Sequence, residues 1–305
     1  MTVTLAPRVD APPARWHAHP YNRSRYYRLA AVAAPRLPRR ARTWVAGRLA
    51  RLLLARFPAE RAAVRRNLTR IQPGHGPVWL DAAVERVFAR FAVCFADLLS
   101  LNRGPRSGLW RHVIGIDGQE PTREVLKLGR GCVSITAHLG NWELAGRLLA
   151  TLGPPVHVVM APEQDPAVGA LLARGAQHGV RFVRLTSPMV GVELVAALRR
   201  GEIVAFQLDR AMGGRGDESV PFFGAPATFP LGPFVTAAAA GAPVVPAFCV
   251  LGPDGSYRLH VEPALTVSRG AELDALSRAV AVLERYVARY WDQWFNFYDI
   301  WEPRP

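Results

Sequence analysis

The sequence between residues 131 and 208 alternates short apolar runs with segments long enough to form helices. The apolar runs lie at residues 131–137, 155–160, 180–185 and 203–208. The intervening segments lie at residues 142–152, 166–178 and 190–200. Strands that alternate with helices at this spacing form βαβ units, whose strands run parallel and are covered on both faces. The pattern therefore predicts an α/β fold with a mostly parallel central sheet and helices on both of its faces.

The sheet is expected to continue in an antiparallel hairpin near the C-terminus. An apolar run at 243–251 is followed by the turn sequence Pro-Asp-Gly-Ser and by a second run at 257–261, which is typical of a hairpin. Apolar residues then recur at helical spacing over residues 272–294, which predicts a helix. Residues 25–305 are accordingly expected to form a single domain.

The N-terminal part of the chain carries the whole excess of positive charge. Residues 1–70 contain 16 Arg against only Asp10 and Glu60, a net charge of +14, which equals the net charge of the complete chain. Residues 1–24 include four prolines and are expected to form a flexible arm. A basic segment of this kind binds polyanions, either nucleic acid or an anionic membrane surface.

Residues 25–70 are expected to form a basic amphipathic helical extension. Val45, Leu49, Leu52, Leu53 and Phe57 fall on one face at 100° per residue, a pattern that suits a lipid interface. No recognised nucleic-acid motif accompanies the arginines, so nucleic acid is not the expected partner. The alternative is that the helix packs on its own domain with a solvated arginine face, and both uses are compatible.

Several classes of protein are disfavoured by the composition. No run of 18 uncharged apolar residues occurs, so no membrane-spanning helix is expected, and the first residues do not resemble a secretory signal. The three cysteines, Cys94, Cys132 and Cys249, are far apart, which argues against a disulfide framework or a structural zinc site. No metal-spaced His/Asp cluster and no Walker-type loop is present.

The segment Ser134-Ile-Thr-Ala-His-Leu-Gly-Asn-Trp-Glu143 is the strongest candidate site. It places His138 at the carboxyl end of a predicted strand, where open α/β sheets bind ligands. Gly140 and Asn141 allow a turn into the next helix, whose N–H groups could face an oxyanion or a phosphate. Glu143 could orient the imidazole and stabilise its protonated form. The alternative is that His138 is a structural residue at a helix cap, with its hydrogen bonds satisfied. The spacing of His138 and Glu143 occurs a second time, in His112 and Asp117, and that pair is interpreted as structural.

Four segments together resemble the bacterial lipid A late acyltransferase superfamily, which includes the phosphatidylinositol mannoside acyltransferases. They are TAHLGNWELAG, QLDRAMGGRG, VPFFGAPATFPLGP and FNFYDIW, and the resemblance covers roughly residues 25 to 300. The resemblance implies transfer of a fatty acyl chain from acyl-CoA or acyl carrier protein to a hydroxyl of a lipid or glycolipid. It also implies a peripheral location at the cytoplasmic face of the inner membrane, with no cofactor besides the acyl donor.

The resemblance also implies roles for individual residues. His138 is expected to be the general base, with Glu143 as its partner. Arg210 is expected to bind a polar head group or the thioester carbonyl, with Asp209 orienting it. The remaining residues assigned to substrate binding are Asn141, Glu218, Phe222 and Phe223. The alanine run 237–240 either packs closely between a helix and the sheet, which is the favoured interpretation, or leaves a groove for the acyl chain.

Two other functions remain open at this point. The same base could activate water instead of an acceptor hydroxyl, which would make the protein a thioesterase or hydrolase. The fold could also serve as a non-catalytic membrane adaptor that only binds lipid. The presence of both His138 and Glu143 favours an enzyme, because an adaptor needs neither a base nor its partner.

Overall fold

The computed structural model describes residues 24–103, 106–160, 179–185, 189–213 and 216–302. The predicted flexible arm and the predicted helix at 166–178 therefore lie outside the described residues, apart from Ser24. The helices are α1 (Ser24–Ala33), α2 (Arg39–Leu53), α3 (Pro58–Ile71), α4 (Pro77–Leu98), α5 (Arg106–Leu109), α6 (Gln119–Lys127), α7 (Trp142–Leu149), α8 (Val190–Arg199), α9 (Gly232–Ala240) and α10 (Glu272–Arg289).

Among the described residues, seven strands form the central sheet and two form a separate hairpin. The strands are β1 (Val113–Asp117), β2 (Cys132–Thr136), β3 (Val156–Met160), β4 (Val180–Arg184), β5 (Ile203–Gln207), β6 (Asp217–Phe222), β7 (Ala225–Pro230), β8 (Val244–Leu251) and β9 (Tyr257–Val261). The sheet order is β1-β9-β8-β2-β5-β3-β4. Strands β8, β2, β5, β3 and β4 pair in parallel, whereas β9 is antiparallel to β8 and parallel to β1. The predicted α/β fold and the C-terminal hairpin are thus confirmed.

Strand β2 occupies the centre of the sheet because every residue from Cys132 to Ile135 is apolar or small and buried. It pairs with β8 on one side and with β5 on the other. One face of the sheet packs against α8, α9 and α10, and the other packs against α4 and α7. Both faces are therefore covered, as continuous apolar strands require.

The separate hairpin β6–β7 was not predicted as strands. Its sequence lacks apolar alternation, since β6 begins with two acidic residues and Pro221 pairs with Pro226 across the hairpin. Phe223 and Gly224 connect the two strands, both with positive φ, the backbone that a two-residue hairpin turn requires. Prolines are tolerated here because both strands of a two-stranded hairpin are edge strands.

A buried carboxylate fixes the N-terminal helices to the domain. Asp97 on α4 is 0% exposed and accepts hydrogen bonds from Arg39 (2.6 Å), Arg42 (3.0 Å) and the Tyr257 hydroxyl (3.0 Å). Arg39 also donates to the carbonyl of Gly255 at 2.6 Å. Helix α2, helix α4 and strand β9 are therefore joined at one point. This contact supports the alternative in which the basic extension packs on its own domain.

Helix α2 nevertheless leaves apolar side chains in solvent. Trp44 is 63% exposed and Leu52 is 77% exposed, and Leu49 and Leu53 are also exposed. The expected amphipathic face is thus only partly covered by the domain. Among the described helices, none is both long and apolar enough to cross a bilayer.

We expect Asp97→Ala to lower the free energy of unfolding by about 3–5 kcal/mol, because it leaves the buried guanidinium of Arg42 and the partly buried one of Arg39 without their carboxylate. The measurement is a denaturant titration followed by circular dichroism. Asp81→Ala is the matched control, since the Asp81–Arg65 ion pair is largely exposed and such pairs contribute little. Equal effects of the two substitutions would contradict this account of Asp97.

Candidate active site

His138 lies in the loop that connects the central strand β2 to helix α7. Gly140 makes the turn possible, because its φ is +61° and a Cβ atom at this position would lie 2.1 Å from the Cys249 carbonyl oxygen. Asn141 then caps α7, since its side chain accepts a hydrogen bond from the Leu144 N–H at 3.1 Å. The predicted strand–His138–turn–helix arrangement is therefore present.

The C-terminal segment holds this loop in place. The Gly140 N–H donates to the Gln293 carbonyl at 2.9 Å, and the Phe295 N–H donates to the His138 carbonyl at 2.7 Å. The Asn141 N–H donates to the Cys249 carbonyl at 2.8 Å. Backbone contacts from strand β8 and from residues 293–295 thus fix His138 from two directions.

The carboxylate that contacts the His138 ring is that of Asp209. Nδ1 of His138 lies 2.9 Å from Asp209 Oδ1, and the His138 N–H donates to both carboxylate oxygens, at 3.0 and 3.1 Å. The indole N–H of Trp294 donates to the other oxygen, Oδ2, at 3.0 Å. Asp209 is 0% exposed, so these donors replace its hydration. The contact fixes the imidazole with Nδ1 toward Asp209.

The electrostatics of this pair suit a base. Burial and the positive charge of Arg210 lower the pKa of His138 below its ordinary value, although Asp209 acts in the opposite direction. Burial alone would raise the pKa of Asp209, but the His138 imidazole and Arg210 hold it at about 2. At neutral pH the imidazole is therefore neutral and the carboxylate ionised. A neutral imidazole oriented by a carboxylate can accept a proton through Nε2 and be stabilised once protonated.

Glu143, the partner proposed from the sequence, lies in the first turn of α7 and pairs with Arg147. Its Oε1 is 3.1 Å from an Arg147 guanidinium nitrogen in a largely buried ion pair. The role of Glu143 toward His138 remains a prediction, while the contact to Nδ1 is made by Asp209. Glu143 was favoured because it is close in sequence, whereas Asp209 is 71 positions away.

Arg210 lies at the edge of the site under the C-terminal segment. Its guanidinium donates to the Phe295 carbonyl at 3.0 Å and to the Asn296 side chain, and it lies 4.9 Å from the Tyr298 ring centroid. The Tyr298 hydroxyl in turn donates to the Asp209 carbonyl at 2.8 Å. Arg210 is thus positioned by the FNFYDIW segment, and the role of Asp209 as its orienting partner remains a prediction.

The other residues assigned to substrate binding lie in different surroundings. The Asn141 side chain exchanges hydrogen bonds with Asn102 at 2.9 and 3.2 Å in addition to capping α7, so its amide serves the fold. Glu218 lies on β6 opposite Phe229. Phe222 is fully buried against Trp301 and Trp294, and Phe223 packs beside it.

A large apolar cavity of about 1170 Å³ opens beside His138. Helices α2 and α4 contribute Val45, Leu49, Leu53, Phe88, Phe91 and Phe95 to its lining. Strands β3, β4 and β5 contribute Val158, Met160, Phe182 and Ala205. His138, Trp142, Glu143 and Arg210 belong to the same lining. An apolar cavity with a few polar groups at a sheet's carboxyl edge is the usual form of a ligand site.

The lining of this cavity does not include Phe222, Phe223 or Ala237–Ala240. Ala237 is 0% exposed and packs with Phe222 and Phe234 in the core on the α9–α10 side of the sheet. Close packing, the favoured interpretation of the alanine run, is thus what the structure has at Ala237, and the cavity lies against α2, α4 and α7. Among the described residues no cluster of His, Cys, Asp and Glu could hold a metal ion.

Substitution of the two acidic residues near His138 will show which one controls its ring. We expect the pKa of His138 to lie below 6.5 and to fall further in Asp209→Asn, by about one pH unit or more, because an adjacent carboxylate favours the imidazolium. We expect Glu143→Gln to change this pKa much less. The measurement is an NMR titration of the His138 ring protons. A larger change in Glu143→Gln than in Asp209→Asn would contradict this assignment.

Known enzymes of lipid biosynthesis are similar to this chain over most of its length. The family model described as bacterial lipid A biosynthesis acyltransferase matches residues 26–302. The phosphatidylinositol mannoside acyltransferase of Mycolicibacterium smegmatis is 29% identical over 235 residues, which cover 74% of this chain and 73% of that protein. The lipid A biosynthesis palmitoleoyltransferase of Escherichia coli K12 is 23% identical over 261 residues, which cover 85% of this chain and 83% of that protein.

A further relative is similar over a comparable length. The phosphatidylinositol mannoside acyltransferase of Mycobacterium tuberculosis CDC 1551 is 28% identical over 227 residues, which cover 72% of this chain and 69% of that protein. The family match spans His138, Asp209 and the C-terminal segment that joins them. The chain therefore belongs to the bacterial lipid A biosynthesis acyltransferase family and is an acyltransferase of lipid biosynthesis.

Proposed function

We propose that this protein transfers a fatty acyl chain from acyl-CoA or acyl carrier protein to a hydroxyl group of a lipid or glycolipid at a membrane surface. The observation that carries the proposal is the pair of His138 and Asp209 in the wall of a large apolar cavity. The base and the apolar space are the two features that acyl transfer to a lipid requires, one for the hydroxyl and one for the chain.

His138 acts as the general base in this proposal. Its Nε2 takes the proton from the acceptor hydroxyl as the oxygen attacks the thioester carbonyl, and Asp209 stabilises the imidazolium that forms. The same proton is then given to the departing thiolate, so no acyl-enzyme intermediate is needed. Because the pKa of His138 is lowered, the base is available throughout the neutral range, and activity should fall only at acidic pH.

The acyl chain is assigned to the cavity lined by α2, α4 and the sheet. Burial contributes about 0.8 kcal/mol per methylene, so a sixteen-carbon chain would gain on the order of 10 kcal/mol. The cavity volume of about 1170 Å³ exceeds the 300–1,000 Å³ typical of small-molecule sites, which leaves room for a long chain. Arg210, also part of the lining, is assigned to a polar head group of the acceptor or to the thioester carbonyl.

The basic extension is assigned to an anionic membrane, at the cytoplasmic face of the inner membrane. Exposed Trp44, Leu49 and Leu52 share α2 with exposed arginines such as Arg48 and Arg51. Aromatic and aliphatic side chains among arginines are the combination that binds anionic lipid surfaces. Since α2 also lines the cavity, this contact would bring lipid substrates to the cavity's outer wall.

We expect His138→Ala to reduce acyl transfer from palmitoyl-CoA or acyl carrier protein by about 10²- to 10⁴-fold, the contribution of general-base catalysis. Circular dichroism should show an unchanged fold. Glu143→Gln is the comparison variant and should lose less. Full activity of His138→Ala would remove His138 from the mechanism, and release of free fatty acid with no acylated lipid would make the protein a thioesterase.

We expect the double substitution Trp44→Ser and Leu52→Ser to weaken binding to anionic vesicles about tenfold or more, since apolar burial at the interface is lost. The measurement is co-sedimentation with vesicles that contain acidic phospholipid. Val235→Ser is the control, because Val235 is similarly exposed but lies on α9. If vesicle binding were unchanged in the double variant, the extension would not be the membrane contact.

A further inference from the structure

One face of helix α7 runs along the cavity, away from His138. Trp142, Ala145, Gly146 and Leu149 follow one another at helical spacing, and all four line the cavity. The Trp142 ring lies beside the His138 ring, with 5.0 Å between the two centroids. Gly146 comes one turn later, about 6 Å further along the helix axis. An acyl chain that starts beside His138 and follows α7 therefore reaches Gly146.

The wall opposite α7 is a row of paired strand residues. Four residues that are neighbours in register across β2, β5, β3 and β4 line the cavity: Ser134, Ala205, Val158 and Phe182. The next row toward the amino ends of the strands is buried and does not belong to the lining in β2, β5 and β3, where it consists of Cys132, Ile203 and Val156. Over these three strands the described cavity thus ends at the row that contains Val158.

Toward the edge strand β4 the cavity continues further. Leu149 on α7 and Val180 on β4 line this inner end, and Val180 pairs with Val156, one row below Val158. Both belong to the same apolar cluster as Ala205 and Ala145. An inner end that is lined by aliphatic side chains suits the terminal part of an acyl chain better than a polar group.

Gly146 lies beside this inner end and opposite Val158. A Cβ atom built on Gly146 would have Val158 Cγ2 as its nearest neighbour, at 3.6 Å, an ordinary contact distance. A methyl group would therefore fit, and the helical backbone of this residue does not require glycine. Alanine is also the better helix former. A side chain longer than a methyl group, however, would meet Val158 in front of it and would have to extend into the cavity.

We propose that Gly146 determines the length of the acyl chain that the enzyme transfers. Because Gly146 has no side chain, the cavity stays open from His138 to Leu149 and Val180, and long chains such as palmitoyl are preferred to shorter ones such as dodecanoyl. The inference rests on the proposed function, which assigns the acyl chain to this cavity. Each methylene group that is buried there raises affinity about fourfold, so the space beside Gly146 decides between donors that differ only in length.

The test compares palmitoyl with dodecanoyl transfer by Gly146→Leu. A leucine side chain takes the place of about four methylene groups of the substrate, so we expect kcat/KM for palmitoyl relative to dodecanoyl to fall about 10- to 10²-fold. Circular dichroism checks the fold. If Gly146→Leu does not fold, Gly146→Met replaces it, because an unbranched side chain adapts more easily to its surroundings, and the same change of preference is expected.

Two variants are matched controls. Gly146→Ala should keep the wild-type preference, since its methyl group contacts Val158 and leaves the cavity open. Gly191→Leu introduces the same side chain at a helical glycine of α8 that has open space around it and does not belong to the cavity lining. It should also keep the wild-type preference. An unchanged preference for palmitoyl in folded Gly146→Leu or Gly146→Met would overturn the inference.

Binding of two unreactive thioethers separates this inference from the proposed function. Dodecyl- and hexadecyl-pantetheine thioether carry the arm that CoA and acyl carrier protein share, and neither can transfer its chain. We expect Gly146→Leu to weaken binding of the hexadecyl compound about tenfold or more and to leave the dodecyl compound nearly unchanged. Equal affinity changes for both compounds would overturn the inference alone. A wild-type protein that bound neither compound would overturn the proposed function and this inference with it.

Discussion

The arrangement of the site depends on a carboxylate that has no access to solvent. Asp209 binds the His138 ring, the His138 backbone and the Trp294 indole at distances of 2.9 to 3.1 Å. An ionised carboxylate in such a place is stable only if donors surround it. These donors come from the loop after strand β2 and from the C-terminal segment, so the charge that orients the imidazole also joins the sheet to the end of the chain.

The same carboxylate accounts for the balance of charge in the cavity. Burial and, after it, the charge of Arg210 lower the pKa of His138, whereas the His138 imidazole and Arg210 outweigh burial and lower the pKa of Asp209, so the imidazole stays neutral while the carboxylate stays ionised. Apolar walls from α2 and α4 keep the surroundings poorly solvated, which strengthens each of these interactions. A neutral imidazole beside an ionised carboxylate thus follows from burial and neighbouring charge, and needs no unusual residue type.

Much of the fold could be predicted because buried parallel strands appear as continuous apolar runs, and β2, β3, β5 and β8 begin and end within one or two residues of those runs. The hairpin strands β6 and β7 carry prolines and acidic residues, so their sequence shows none of the apolar patterns that predict a strand.

The position of His138 was predicted from the strand–turn–helix pattern. Its contact with Asp209 was not, because it depends on the register of β2 with β5. Both residues come two positions after the ends of paired strands, which is a signal that the sequence contains. The cavity itself could not be predicted, since its walls come from helices and strands distant in sequence.

The position of Trp294, Phe295 and Tyr298 has a consequence for synthesis of the protein. These residues complete the surroundings of Asp209 and His138, yet they are translated more than 80 positions after Asp209. Until the ribosome has released this segment, the Asp209 carboxylate lacks the Trp294 indole and the His138 carbonyl lacks the Phe295 N–H. A nascent or prematurely terminated chain thus cannot complete the hydrogen bonds that surround this buried carboxylate in the folded protein.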